Sequence, residues 1–343
     1  MPKRNFDNLT FALYEDANET KMFESYYKDG SWDQGSVVQF HNLELSPSAN
    51  ILNYGQGIFE GMKAYRSVKG KIVMFRPEEN AKRFADSCIN MAMPEVPVKK
   101  FMKAVRELVM ENLEFIPDAP EGNKSLYVRP VCIATEPMLG VKAATEYLFY
   151  IYVSPVGMYY DTVGVTDLVV TDVHRAAPRG TGAVKAVCNY PVTMPPRKKA
   201  MADGFGGIIF LDAKYDKYVE EADAANFFVL LSNDTLVTPQ LGSILPGITR
   251  ASILQIASEL FGIKTEERNI TIEEVIADAK EVFLCGTGAT ITSVRNIGHN
   301  SEIHSVNKND FQFARRVYNK LIGIQLQKEE DPFEWVTVFG EAG

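Results

Sequence analysis

Both halves of the chain are assembled from apolar runs of strand length separated by glycine and proline turns, and that pattern excludes most architectures. In the first half, Ser125-Leu-Tyr-Val-Arg-Pro-Val-Cys-Ile-Ala and the stretch Glu146 to Val153 are rich in β-branched and aromatic residues. In the second, the runs Asp167 to Val173, Gly207 to Leu211, Tyr218 to Asp223, Asn226 to Ser232 and Glu281 to Leu284 follow one another with turns between them. Helical patterns do not alternate regularly with these strands. The expectation is therefore α+β domains rather than a doubly wound parallel sheet. At 343 residues the chain is too long for one ordinary core. Pro155 and Gly157 break the pattern within Ser154–Tyr160, which sets a small N-terminal α+β domain at 1–153, an interdomain loop at 154–162 and a large C-terminal domain at 163–343. There is no internal repeat.

Helices punctuate the strands. Pro77 stands at the first position of one, with Glu78 and Glu79 near the positive end of its dipole and Ala81, Phe84, Cys88 and Met91 as its apolar stripe. Arg83 lies next to that stripe, so it is either a surface charge beside Lys82 or a group reaching inward. A second helix is expected from Val98 to Phe115, through Phe101, Val105, Leu108 and Leu113. A polar one is expected from about Pro196 to Asp203, and another after Gly247, with Ile253, Ile256 and Leu260 ahead of Gly262.

A net charge of −8 argues against nucleic acid and anionic membranes as partners. The first residues, Met1 to Asn8, lack the apolar core of a signal peptide, and no apolar run is long enough to span a bilayer, so a cytoplasmic location is expected. Cys88, Cys132, Cys188 and Cys285 are scattered without a C-x-x-C pair and read as buried thiols. The four histidines show no metal-ligand spacing, and no metal is expected.

Four stretches carry candidate chemistry. In Gly180-Thr-Gly-Ala-Val-Lys185-Ala-Val-Cys-Asn-Tyr190 a lysine sits between a glycine turn and small apolar residues. Poor solvation favours the neutral amine, which can attack an aldehyde carbon. Tyr54-Gly-Gln-Gly-Ile-Phe59-Glu60-Gly61-Met-Lys-Ala-Tyr65 sets glycines among aromatic walls: a ligand approach or a crowded strand crossing. Tyr127 and Arg129, two apart on a strand, face one side, as a partnered charge in a sheet or as a carboxylate receptor. Leu245-Pro-Gly247-Ile-Thr-Arg250 opens a helix, and Cys285-Gly-Thr-Gly-Ala-Thr290 follows a strand; both offer free N–H groups of the kind that hold phosphate. Neither fits a Walker loop or the dinucleotide fingerprint, so ATP and NAD are not supported.

Seven runs, Phe59-Glu-Gly-Met-Lys-Ala-Tyr, Tyr127-Val-Arg-Pro, Glu136-Pro-Met-Leu-Gly-Val, Gly180-Thr-Gly-Ala-Val-Lys, Leu236-Val-Thr-Pro, Leu245-Pro-Gly-Ile-Thr-Arg and Gly286-Thr-Gly-Ala, occur in this order. Together they resemble the branched-chain amino-acid aminotransferases, pyridoxal-phosphate enzymes of fold type IV, from about Val37 to Trp335. The resemblance implies transfer of the amino group of L-leucine, L-isoleucine or L-valine to 2-oxoglutarate, with the C-terminal domain binding pyridoxal 5′-phosphate. It makes Lys185 the catalytic residue that bonds the cofactor aldehyde, Tyr190 the partner of the cofactor's phenolic oxygen and Glu221 the partner of its pyridine nitrogen. Arg83, Ile248, Thr249 and Thr287 would hold the phosphate, while Gly288 and Ala289 would receive the substrate α-carboxylate. The side-chain pocket would be Tyr54, Phe59, Tyr127, Arg129 and Tyr159, with Leu139 and Val141 supplied by a second subunit, which implies a homodimer or a dimer-based oligomer.

The chain departs from the family pattern at Ala224, where some members have threonine, at Ser293, a frequent proline, and in the poorly matching segment before Val37, where Tyr14 is a candidate pocket residue. Two other fold type IV activities, D-amino-acid aminotransferase and aminodeoxychorismate lyase, would share the phosphate cup but not the runs around Glu60 and Arg129. A non-catalytic protein that only binds pyridoxal phosphate would not require Lys185, Tyr190 and Glu221 together.

Overall fold

The computed structural model describes residues 4–342 apart from 5, 7, 120, 122 and 158–163. The chain forms two compact units, and their composition departs from the linear division expected from the sequence. The first contains Met1–Tyr159, Val184–Cys188 and Ile322–Gly343; the second contains Tyr160–Ala183 and Asn189–Leu321. Two segments expected at 163–343 thus belong with the first unit, and the strand Tyr147–Val156 runs into the expected loop at 154–162. Tyr159 lies outside the described residues.

The first unit is an antiparallel sheet with two faces of different chemistry. Its strands run in the order Val336–Glu341, Lys71–Phe75, Met62–Arg66, Ser125–Ala134, Tyr147–Val156, Lys21–Lys28, Ser31–Trp32, with Gly57–Phe59 added to Ser125–Ala134 and Ser36–Gln39 to Lys21–Lys28. Successive side chains on a strand point to opposite faces, and the burial follows that rule. Leu126, Val128, Cys132 and Ala134 enter one core with Phe149, Ile151 and Val153, while Val131 and Ile133 join Leu148, Phe59, Tyr150 and Tyr152 on the other side. The first face is covered by the helices Pro77–Asn90 and Val98–Met110, whose stripes Ala81, Phe84, Cys88 and Phe101, Val105, Leu108 are buried. Phe84, Phe101 and Phe149 meet with ring centroids 5.2–5.9 Å apart, and removing one such ring costs about 3–5 kcal/mol.

The second helix stops at Met110 and only a 3₁₀ turn at Leu113–Phe115 follows, because Asn112 turns inward and its side chain bonds Lys21 N–H at 2.9 Å and the Leu108 carbonyl at 2.8 Å. The sheet edge is the C-terminal strand, where Val338 pairs with Val73 and Phe339 is buried. A short helix, Asn50–Tyr54, stands where only strands and turns were expected.

The second unit closes on itself. Val219–Ala222, Gly207–Leu211, Val165–Val170, Thr290–His299, Ala279–Gly286 and Ala225–Leu231 pair in that order, and the last returns to the first, making a closed ring of strands. Closure removes two sheet edges. Phe227, Val229 and Leu231 face the inside of the ring with Leu168, Ile209, Val282 and Val294; Phe228 and Leu230 face outward beneath the helices Ile248–Gln255 and Gln312–Gln325 through Ile253, Phe313 and Val317. The strand expected from Asp167 to Val173 begins at Val165 and ends at Val170. The helix expected from Pro196 runs over Met194–Ala202.

Candidate active site

Lys185 is positioned by the first unit although the chain reaches it from the second. Ile58 bridges to Ala186, and Phe59 N–H donates to the Lys185 carbonyl at 3.1 Å, so Val184–Cys188 is laid along the short strand Gly57–Phe59. Val184 and Ala186 are buried in the first core, and the Lys185 N–H reaches the Ser87 hydroxyl at 3.3 Å. With both neighbours anchored inward, the half-buried Lys185 side chain is turned to the opposite face, where Nζ lies 4.8 Å from the Phe59 ring centroid.

On that face stand Tyr127 and Arg129. The Arg129 guanidinium lies 4.9 Å from the Phe59 ring and 5.2 Å from the Tyr127 ring, and its Nη2 is 3.5 Å from the Tyr127 phenol. Gly61 is needed here: a Cβ on it would come within 1.9 Å of that phenol oxygen. Burial pushes the Tyr150 phenol on the same face up to about 12, and pulls the Lys63 ammonium, paired in register with Tyr127, down to about 8. Rings beside cations suit a pocket that accepts both apolar chains and carboxylates.

Arg83 does reach inward, and its partner is Glu60, which is fully buried. Arg83 Nε lies 2.6 Å from Glu60 Oε1 and Nη2 lies 2.9 Å from Oε2, a two-pronged pair. The N–H groups given to Glu60 are committed, so Arg83 can approach a phosphate only with its remaining donors. Tyr54, at the end of its short helix, accepts the Gly140 N–H at 2.8 Å through its phenol oxygen. This ties it to the loop carrying Leu139 and Val141, both 89% exposed.

In the second unit Glu221 is buried in a cage of donors. Oε1 accepts the Leu245 N–H at 2.8 Å and the Asn226 amide at 3.0 Å, and Oε2 lies 3.1 Å from Arg175 Nε. Arg175 also donates to the carbonyls of Gly182 and Ser243, at 3.0 and 2.8 Å, so one guanidinium ties Glu221 to the glycine turn ahead of Lys185. The neighbouring Glu220 bonds the Ser243 hydroxyl, and burial pushes its carboxyl up.

The helix Ile248–Gln255 starts beside this cage. Gly247 caps it with extended backbone and without a side-chain cap, so the N–H groups of Ile248 and Thr249 open the helix. A Cβ at Gly247 would come within 2.0 Å of Asn226 Oδ1, so the turn must stay small. Arg250 is occupied elsewhere, by the Pro239 carbonyl at 2.8 Å and by Glu267 at 2.7 Å.

Thr287, Gly288 and Ala289 form the tight turn joining Ala279–Gly286 to Thr290–His299, where Gly286 pairs with Thr290. Thr290 has φ of 56°, a strained value for a β-branched residue. Cys285 is opposite Asn226, and Asn226 is opposite Glu221, so the turn, the acid and the helix start share one end of the ring. Tyr190 opens the 3₁₀ turn Pro191–Thr193 and is partly buried.

The first unit thus gathers Lys185, Phe59, Tyr127, Arg129 and Arg83; the second gathers Glu221, Ile248, Thr249, Thr287, Gly288 and Ala289. Sequence reasoning missed Glu60, Asn80, Arg175 and Asn226. The one signal for Glu60 was an acid set among glycines and apolar residues. Cys188 was expected to be buried and is exposed, unlike Cys88, Cys132 and Cys285.

The donor set fits an aldehyde cofactor bearing a phosphate and a basic ring nitrogen. Helix-start N–H groups beside a glycine that cannot carry a side chain suit the phosphate, a caged carboxylate suits the ring nitrogen, and a half-buried lysine suits the aldehyde. Comparison with known proteins gives the same direction. Residues 57–297 match the family model for class IV amino-transferases. The branched-chain-amino-acid aminotransferase of Helicobacter pylori is 41% identical over 321 residues, covering 93% of this chain and 94% of that protein. A chloroplastic branched-chain-amino-acid aminotransferase of Arabidopsis thaliana is 41% identical over 312 residues, covering 90% of this chain and 74% of that protein. The crystal structure of the Escherichia coli branched-chain amino acid aminotransferase superposes with a TM-score of 0.79 at 26% identity, covering 94% of this chain and all of that one. This chain belongs to the branched-chain-amino-acid aminotransferases, within the class IV aminotransferase family.

Proposed function

We propose that the chain transfers the amino group of L-leucine, L-isoleucine or L-valine to 2-oxoglutarate, yielding the branched 2-oxo acid and L-glutamate, with pyridoxal 5′-phosphate as its cofactor. The observation that carries this reading is Lys185 set over Phe59 on the sheet face that also bears Arg129 and Tyr127. Bound pyridoxal phosphate supplies an aldehyde carbon and a ring that takes up electrons as the substrate α proton leaves.

Lys185 bonds that aldehyde carbon at rest. Once displaced by substrate, its amine takes the proton from the substrate α carbon and redelivers it, first as base and then as acid. Glu221 holds a proton on the ring nitrogen, and Tyr190 bonds the ring's phenolic oxygen. Arg83, the N–H groups of Ile248 and Thr249 and the Thr287 hydroxyl hold the phosphate. Gly288 and Ala289 offer N–H groups to the substrate α-carboxylate. Phe59, Tyr127, Tyr54 and Tyr159 wall the side-chain pocket, and Arg129 receives the second carboxylate of glutamate. Amino acid and oxo acid occupy that pocket in turn, which gives ping-pong kinetics.

Leu139 and Val141 complete the pocket of a second copy, making the protein a homodimer or a dimer-based oligomer. Their exposure supports this: two large apolar side chains on one turn are poorly placed for a monomer. We place the protein in the cytoplasm, in keeping with four free cysteines and, among the described residues, no helix long and apolar enough to cross a membrane.

Lys185→Ala tests the reading. Turnover of L-leucine with 2-oxoglutarate is expected to fall at least about 10⁴-fold, because one group does both the covalent and the proton-transfer work. Turnover within about tenfold of the wild type would end the assignment.

A further inference from the structure

Glu60 has no role in the account so far, yet it is the best-held acid of the first unit. It sits between the strands Gly57–Phe59 and Met62–Arg66, with no exposed surface. Its backbone is fixed by its own N–H donating to the Pro130 carbonyl at 2.8 Å. Its carboxylate accepts from Gly61 N–H at 3.0 Å, Asn80 Nδ2 at 2.8 Å, Arg83 Nε at 2.6 Å and Arg83 Nη2 at 2.9 Å. The residue before it, Phe59, binds the Lys185 carbonyl and lies under the Lys185 ammonium. A helix that needed only a phosphate-binding arginine would not require a buried acid, since burying a carboxylate is costly unless it is fully paired.

We propose that Glu60 is a positioning residue with two effects: it fixes the plane of the Arg83 guanidinium for the cofactor phosphate, and it holds the proton on the Lys185 nitrogen when that nitrogen carries the cofactor. This rests on the assignment of Lys185 given above. The charged groups around that nitrogen in this unit are Arg83 on the helix Pro77–Asn90, Arg129 on Ser125–Ala134, Lys63 on Met62–Arg66 and Glu60. Three are cations and would expel the proton. Glu60 opposes them. Burial alone pushes its carboxyl up, but Arg83, Lys185 and Asn80 more than offset this and hold it below its ordinary value.

The test uses holoenzyme reconstituted with pyridoxal phosphate. The visible spectrum is titrated with pH to find the midpoint at which the Lys185 nitrogen loses its proton, and cofactor affinity is measured by equilibrium dialysis. Glu60→Gln, which keeps the shape and removes the charge, is expected to lower the midpoint by about one pH unit and to weaken cofactor binding about tenfold. Glu60→Asp keeps the charge and should lower the midpoint by less.

If the glutamine variant yields no folded holoenzyme, the aspartate variant decides: a lowered midpoint supports the proposal, and an unmoved or raised one overturns it. A glutamine variant of reduced thermal stability with the wild-type midpoint would show a purely structural role and also overturn it. Borohydride reduction separates the two levels. Label fixed on Lys185 with an unmoved midpoint defeats only the role of Glu60; absence of label from Lys185 in the wild type defeats the functional reading itself.

Discussion

The two units control charge by different means. Around Lys185 the first unit uses side chains: a buried acid against an arginine, a second arginine against two rings, and a lysine pulled down by burial. Around Glu221 the second unit relies on backbone and amide donors, the Leu245 N–H, the Asn226 amide and the start of the helix Ile248–Gln255, with Arg175 as the one cation in contact. Side-chain charges can be moved or neutralised by a ligand, which suits a place where a lysine must alternately bond and release a cofactor and a carboxylate must come and go. Backbone donors keep their place and cost no reorganisation, which suits a ring and a phosphate that stay bound.

Three substitutions sharpen this contrast. The largest effect is expected at the fixed end. Glu221→Gln keeps the Oε1 acceptor but removes the charge, and turnover with every substrate should fall about 10²–10³-fold, in both half-reactions alike. An effect confined to one half-reaction would break the division of labour. At the adaptable end, Arg129→Leu should be selective. The half-reaction with 2-oxoglutarate or glutamate should fall about 10- to 100-fold, the loss of a charge-assisted bond, while that with leucine changes by less than about threefold. Stopped-flow measurement of the separate half-reactions checks this.

The smallest effect concerns Asp223, in the turn after Glu221, where burial raises the carboxyl to about 6 despite Arg197 and the Ile208 N–H. An acid raised on folding binds more protons folded than unfolded, so its contribution to stability declines as pH rises from about 4 to about 6 and stays unfavourable above. Asp223→Asn should therefore raise stability at pH 8 by roughly 1–3 kcal/mol and change little at pH 4, as read from denaturant titrations at both values.

Much of the site was legible because small residues and charges in an apolar setting mark it. Gly247 and Gly61 are placed where a Cβ would strike Asn226 or Tyr127, and that need is visible as glycine in the chain. Strand alternation placed Tyr127 and Arg129 on one face, and the stripe Ala81, Phe84, Cys88 placed Arg83 beside the core. Pairings between distant segments were not legible. Nothing in Val336–Glu341 names Lys71–Phe75 as its neighbour, and nothing in Val184–Cys188 shows that it is anchored along Gly57–Phe59. The partnerships of Glu60 with Arg83 and of Arg175 with Glu221 depend on those long-range placements, and a charge in sequence looks the same whether solvated or paired.

The central claim is that one amine, set on the first sheet over Phe59, bonds the cofactor. Reduction of the holoenzyme with borohydride, followed by proteolysis and mass spectrometry, reads this directly. The reduced cofactor is expected on the peptide containing Lys185 and on no other, and to be absent when L-leucine is added before the reductant. Label on Lys63 or another lysine, or no covalent label at all, would contradict the account.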